Sequence, residues 1–109
     1  MKRAKPLLRE AMPELAGELE SLLRKNEEAE LARQVAGLRI IDRCRCGDDF
    51  CATIYAAPKP RAAWGAGHET IALDPDEGYM NVDLLNGNIV EVEVLFRDEI
   101  RDQLLKLLP

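Results

Sequence analysis

The sequence predicts an α+β fold: two N-terminal helices, an antiparallel sheet of four to five strands built from two hairpins, and a C-terminal helix, with helices covering one face of the sheet. Three observations predict it. Apolar residues recur every three to four positions over about 13–36, the period changes to two over about 38–96, and the helical period returns over about 98–108. A chain of 109 residues has the size of one domain, 1–109, and can bury a core without disulfides or metal. With 47% apolar, 32% charged and only 5% aromatic residues, the composition is globular and the core must be mainly aliphatic.

In the first segment, Met12, Leu15, Leu19 and Leu22 form an apolar stripe that Ala16 and Leu23 widen, while Glu18 falls on the solvent side. Pro13 suits the first helical position, so a helix is expected over Pro13–Lys25, with "PLLREA" before it a separate turn or short helix. Asn26 is the expected N-cap of a second helix, "EEAELARQVA". Glu27 and Glu28 suit its positive end, Leu31 and Val35 its buried face, and Gly37 the left-handed position that ends it.

After Gly37, "LRIIDRCRC" alternates: Leu38, Ile40, Cys44 and Cys46 point one way, and Arg39, Arg43 and Arg45 the other. "FCATIYAA" is its return strand across Gly47-Asp48-Asp49. "ETIAL" is a short third strand, and "YMNVDLL" and "IVEVEVLF" form a second hairpin about "NGN". A three-residue loop at Asn86-Gly87-Asn88 sets Leu84 against Val90, Val82 against Val92 and Met80 against Val94, whereas a two-residue loop mixes the faces. The same register leaves Asp83 opposite Glu91, a like-charge pair that Arg39, Arg43 or Arg45 would relieve. Asp98 is expected to cap the last helix, whose buried side is Ile100, Leu104, Leu107 and Leu108.

Charge narrows the function. The net charge is −5, and Glu69 to Glu99 carries nine acids against the single base Arg97, which disfavours nucleic acid. "MKRAKPLLRE" opens like a secretory signal, but Arg9, Glu10, Pro13 and Glu14 interrupt it, and no apolar run approaches the roughly twenty residues of a membrane span. A cytoplasmic protein without a membrane partner is expected. Arg39, Arg43, Arg45, Lys59 and Arg61 gather around the cysteines, either as a solvated face or to meet a small anionic partner.

All three cysteines lie in "CRCGDDFC". With His68 they would make a Cys3His zinc set, although the spacing lacks a C-x2-C pair. The hairpin register decides. A three-residue turn pairs Cys46 with Phe50 and Cys44 with Ala52, turning Cys51 outward to Arg43 and Arg45 as a candidate reactive thiol. A two-residue turn pairs Cys46 with Cys51 and gathers the sulfurs, at the expense of exposing Phe50 and Ile54. Apolar patterning selects the first, and with it the reading of the cysteines as small packing residues.

No catalytic residue is assigned. The lone serine, Ser21, sits in a helix pattern, and "WGAGHE" lacks a phosphate loop's lysine and a dinucleotide motif's third glycine. The long connection Pro58–His68 carries the only tryptophan, Trp64, between alanines and beside Gly65 and Gly67, and is the expected interaction loop, with partial exposure of Trp64; Arg43 and Arg45 are the further candidate interaction residues. The leading functional expectation is a non-catalytic interaction domain that binds a protein partner or itself. The alternative is a zinc or thiol-dependent protein using Cys44, Cys46, Cys51 and His68. No cofactor is required by the first; zinc is the one admitted by the second.

Overall fold

Pro13 opens the longest helix, where its fixed φ and missing N–H are accommodated. In the computed structural model, which describes residues 5–109, α1 is Leu8–Ala11, α2 is Pro13–Lys25, and α3 is Ala29–Gln34, running into a 3-10 turn at Val35–Gly37. Asn26 does not start α3; it ends α2. The Glu27 N–H donates to Arg24 O at 3.0 Å and the Glu28 N–H to Leu23 O at 2.8 Å, the paired bonds of a Schellman motif, with Glu27 in the left-handed position at φ 61°. The left-handed position expected at Gly37 to end the second helix is not taken, because α3 instead tightens into the 3-10 turn that contains Gly37.

The strand expected from Leu38 is divided between two partners. Its first residues pair with the N-terminal segment, the Ile40 N–H donating to Pro6 O at 2.9 Å and Leu8 N–H to Leu38 O at 2.8 Å. Only Asp42–Arg43 form β1, against β2 at Ile54–Tyr55. β3 is His68–Ala72, β4 Tyr79–Leu85 and β5 Asn88–Leu95, and the five antiparallel strands run β1-β2-β5-β4-β3 across the sheet. α4, Asp98–Leu107, follows. Arg97 rather than Asp98 is its N-cap, which puts Asp98 and Glu99 in the first turn, where the helix dipole favours acids.

Buried residues of the helices, among them Leu19, Leu23, Leu31 and Leu104, form one core with Ile54, Met80, Val82, Val92 and Val94 of the sheet. The β4–β5 ladder pairs Met80 with Val94 and Val82 with Val92, as the face argument requires. Its turn does not have three residues. Asn86 and Gly87 have φ of 52° and 82°, the two positive values of a tight two-residue turn, so Leu85 pairs with Asn88 and Leu84 with Ile89 rather than Val90. A bulge between this end and Asp83–Glu91 absorbs the one-residue difference, so a two-residue turn and an apolar face coexist. Gln34 of α3 clasps the turn: its Nε2 donates to Gly87 O at 2.8 Å, and its Oε1 accepts from the Ile89 N–H at 2.9 Å.

Glu18 is not a solvent-side residue. Both its carboxylate oxygens accept from Arg97 at 2.8 Å, tying α2 to the β5–α4 junction. This pairing, together with Glu99, raises the already high pKa of Arg97 against the opposing effect of burial.

Candidate metal centre

The pairing of Asp42 with Tyr55 and Arg43 with Ile54 is the register of the two-residue turn, and the Cys44 N–H donation to Thr53 O at 2.9 Å continues it. The expected register is thus displaced by one residue. The physical reason lies in the neighbouring strand. Ala52, Thr53, Ile54 and Tyr55, in a stretch flanked by β1 and β5, are all buried, so residues pointing to both faces are shielded from solvent. A strand buried on both sides carries no alternation to fix its register. Ile54 is not exposed in consequence, while Phe50 at the tip is.

The tip is wider than two residues. Gly47 turns at φ 85°, and a turn at Asp48–Cys51 is closed by the Cys51 N–H donating to Asp48 O at 3.3 Å. Cys51 then bridges to Leu95 of β5, and the Ala52 N–H donates to Val94 O at 2.8 Å. These bonds bring the three cysteines together, with their sulfurs within 4.8 Å of one another. The cysteines are free thiols. None belongs to the core: Cys44 and Cys51 are half-buried and Cys46 is exposed, so the packing expectation for Cys44 and Cys46 is overturned, as is the separation of Cys51 from them.

The thiols are electrostatically unequal. Burial, the strongest single influence on Cys44, opposes its ionisation, but the Cys46 N–H and donors from Cys46, Tyr55 and Cys51 outweigh it and hold its pKa below the ordinary value. At Cys46 the Asp48 N–H favours the thiolate, yet burial and the other two sulfurs prevail and push the thiol up to about 11. One thiol proton is thereby held more loosely than the next.

Of the two arginines expected beside Cys51, Arg43 lines a small cavity with all three cysteines and Arg45 does not. Both reach the C-terminal end of α4, where Arg43 Nε donates to Leu108 O and Arg45 Nη1 to Pro109 O at 3.2 Å. Cations suit that end of a helix. Arg45 also pairs with Asp42 at 3.0 Å, and although burial opposes it, the Arg43 amide and Arg45 hold the Asp42 carboxyl below its usual range.

His68 is not grouped with the sulfurs. It begins β3, at the opposite edge of the sheet from β1, and its Nε2 lies 2.8 Å from Asp83 Oδ1. Thr70 Oγ1 donates to the same oxygen at 2.7 Å, and Trp64 Nε1 donates to Glu91 Oε1 at 3.1 Å. These three groups, and none of the expected arginines, serve the Asp83–Glu91 pair. Trp64 is half-buried in this way, in keeping with its expected partial exposure. Gly67 packs against the β4–β5 turn, accepting from the Asn86 N–H at 3.1 Å, and at φ 87° its backbone passes so close to Asn86 that a Cβ would fall 2.2 Å from Asn86 Oδ1. Gly65 O accepts from the His68 N–H at 3.3 Å in the turn that opens β3.

Tyr55 and Lys59 complete the surroundings of the thiols, with Lys59 Nζ 5.5 Å from the Tyr55 ring centroid. Burial, then the charges of Cys44 and Glu91, raise the Tyr55 pKa strongly. Tyr55 was findable from sequence only through the correct register, which sets it opposite Asp42 and beside the cysteine row. No helix among the described residues is long and apolar enough to cross a membrane. Compared with protein families, curated proteins and solved structures, the chain matches none.

Proposed function

We propose that this chain binds one thiophilic metal ion, zinc in the first instance, through Cys44, Cys46 and Cys51. The observation that supports this reading is the mutual approach of the three sulfurs to within 4.8 Å. Zinc–sulfur bonds of about 2.3 Å in a tetrahedron place sulfurs about 3.8 Å apart, so closure needs shifts of about 1 Å, within the reach of side-chain rotation. Three thiolates suit zinc or a softer ion far better than magnesium or calcium, which require oxygen. Elemental analysis of protein purified without chelator tests it. About one zinc per chain is expected, falling close to zero in Cys51→Ser; wild-type protein that folds without metal and takes up none on zinc addition contradicts it.

A second reading, a module that docks a protein partner or a second copy, is favoured by one feature. Phe50 and Phe96 stack at 5.1 Å between centroids, Phe96 is 63% exposed, and its φ of 61° is unusual for a bulky residue. Its test is sedimentation of wild type and Phe96→Ser across concentration. A mass that rises with concentration in wild type alone supports self-docking.

A further inference from the structure

We infer that the groove beside Cys44 and Cys46 receives an anionic low-molecular-weight thiol, whose sulfur occupies the fourth position of the metal held by Cys44, Cys46 and Cys51. This inference rests on the metal reading above. Among the described residues, no histidine or carboxylate joins the three sulfurs at their mutual distance. The protein therefore supplies three donors where zinc takes four.

The groove has the size and charge for such a ligand. Cys44 and Cys46 form part of the wall of an open groove of about 590 Å³ that extends past Tyr55 to Pro58 and Lys59. That volume is suited to a small organic molecule. Four cations, Lys5, Arg43, Arg45 and Lys59, line it against the single acid Asp42. Arg43 is committed to Leu108 O and Cys44 O, and Arg45 to Asp42 and Pro109 O. Lys5 and Lys59 make no salt bridge among the described residues. Two ammonium groups that act on Asp42 and Glu91 only at a distance and close no salt bridge, beside a three-thiolate set, favour a ligand that carries carboxylates for the lysines and a soft sulfur for the metal. On binding, the ligand thiol releases its proton to solvent and its sulfur lone pair forms the metal bond; no electron transfer is involved.

Cobalt-loaded protein tests this, with glutathione as the probe. Thiolate-to-cobalt charge-transfer absorption grows with the number of sulfurs bound. Glutathione should raise it by about a third, as three sulfurs become four, and should co-elute with protein and cobalt on gel filtration. S-methylglutathione should not raise it. Lys59→Glu should increase the glutathione concentration for half-saturation about tenfold while leaving cobalt uptake without glutathione unchanged. Bound cobalt with an unaltered spectrum at millimolar glutathione overturns the inference. So does an equal response to S-methylglutathione, loss of cobalt into solution, or half-saturation unchanged in Lys59→Glu. Failure to take up cobalt before glutathione is added overturns the metal reading, and this inference with it.

Discussion

Asp83 and Glu91 stand opposite each other on β4 and β5, with Glu93 on the same face, and the sheet handles this negative charge residue by residue. Trp64 donates to Glu91, and Thr70 and His68 meet Asp83, but Glu93 has no such partner among the described residues. Burial first, and then the Asp83 charge, raise the Glu93 pKa from its ordinary 4.5. The sign follows directly. An acid whose folded-state pKa is raised binds its proton more tightly when folded, so stability falls as pH rises from the unfolded value through the folded one. Glu93→Gln should therefore raise the melting temperature at pH 7, and the gain should close as pH falls below 4.5, where wild-type Glu93 is itself neutral. The glutamine amide also brings donors to the face where Asn81 Oδ1 is buried without a partner. A variant less stable than wild type at pH 7 would contradict this account.

Among the elements, the junctions carry the least obvious interactions. Glu27 holds the left-handed position of the α2 Schellman motif, a conformation that costs a residue with a Cβ about 1–2 kcal/mol and glycine almost nothing. Glu27→Gly should stabilise the chain by about 0.5–1 kcal/mol after the greater unfolded-state freedom of glycine is offset, as urea unfolding would measure; destabilisation would mean that the Glu27 side chain holds α3 in place. Glu18 and Arg97 form a two-point bond across 79 residues of sequence, and Glu18→Ala should cost about 1.5–3 kcal/mol, as charge-assisted bonds do. A loss near zero would class the pair with surface salt bridges. Neither effect was legible beforehand, since an exposed-pattern glutamate and a lone arginine carry no sign of each other. Long periodic segments were legible: α2, β4, β5 and α4 stand where apolar spacing puts them, because each buries mainly one face, although Leu107, expected on the buried side of α4, is exposed. The short elements at 38–57 were not. There the strand between Ala52 and Tyr55 is buried on both faces, its register is free of patterning, and the whole reading of the cysteines turned on that one residue.

At the scale of the molecule, the helices and one sheet face share a single aliphatic core, so one large-to-small change within it should be felt globally. Leu19→Ala and Leu104→Ala, both almost fully buried, should each cost about 2–5 kcal/mol in a cooperative unfolding transition. The three thiols lie outside that core, held by β1, β2 and the bridge to β5, so the fold positions the candidate site without depending on it for apolar burial. The candidate metal site was half legible: its three sulfurs were visible in the spacing, while the exclusion of His68 followed only from the strand order, which puts β3 at the far edge. Thiol labelling of native protein, with and without chelator, tests the metal reading most directly. Without chelator, Cys44, Cys46 and Cys51 should all resist modification despite the exposure of Cys46, and chelator should release the three together. Prompt modification of Cys46 alone, with Cys44 and Cys51 following at rates that chelator does not alter, would contradict it.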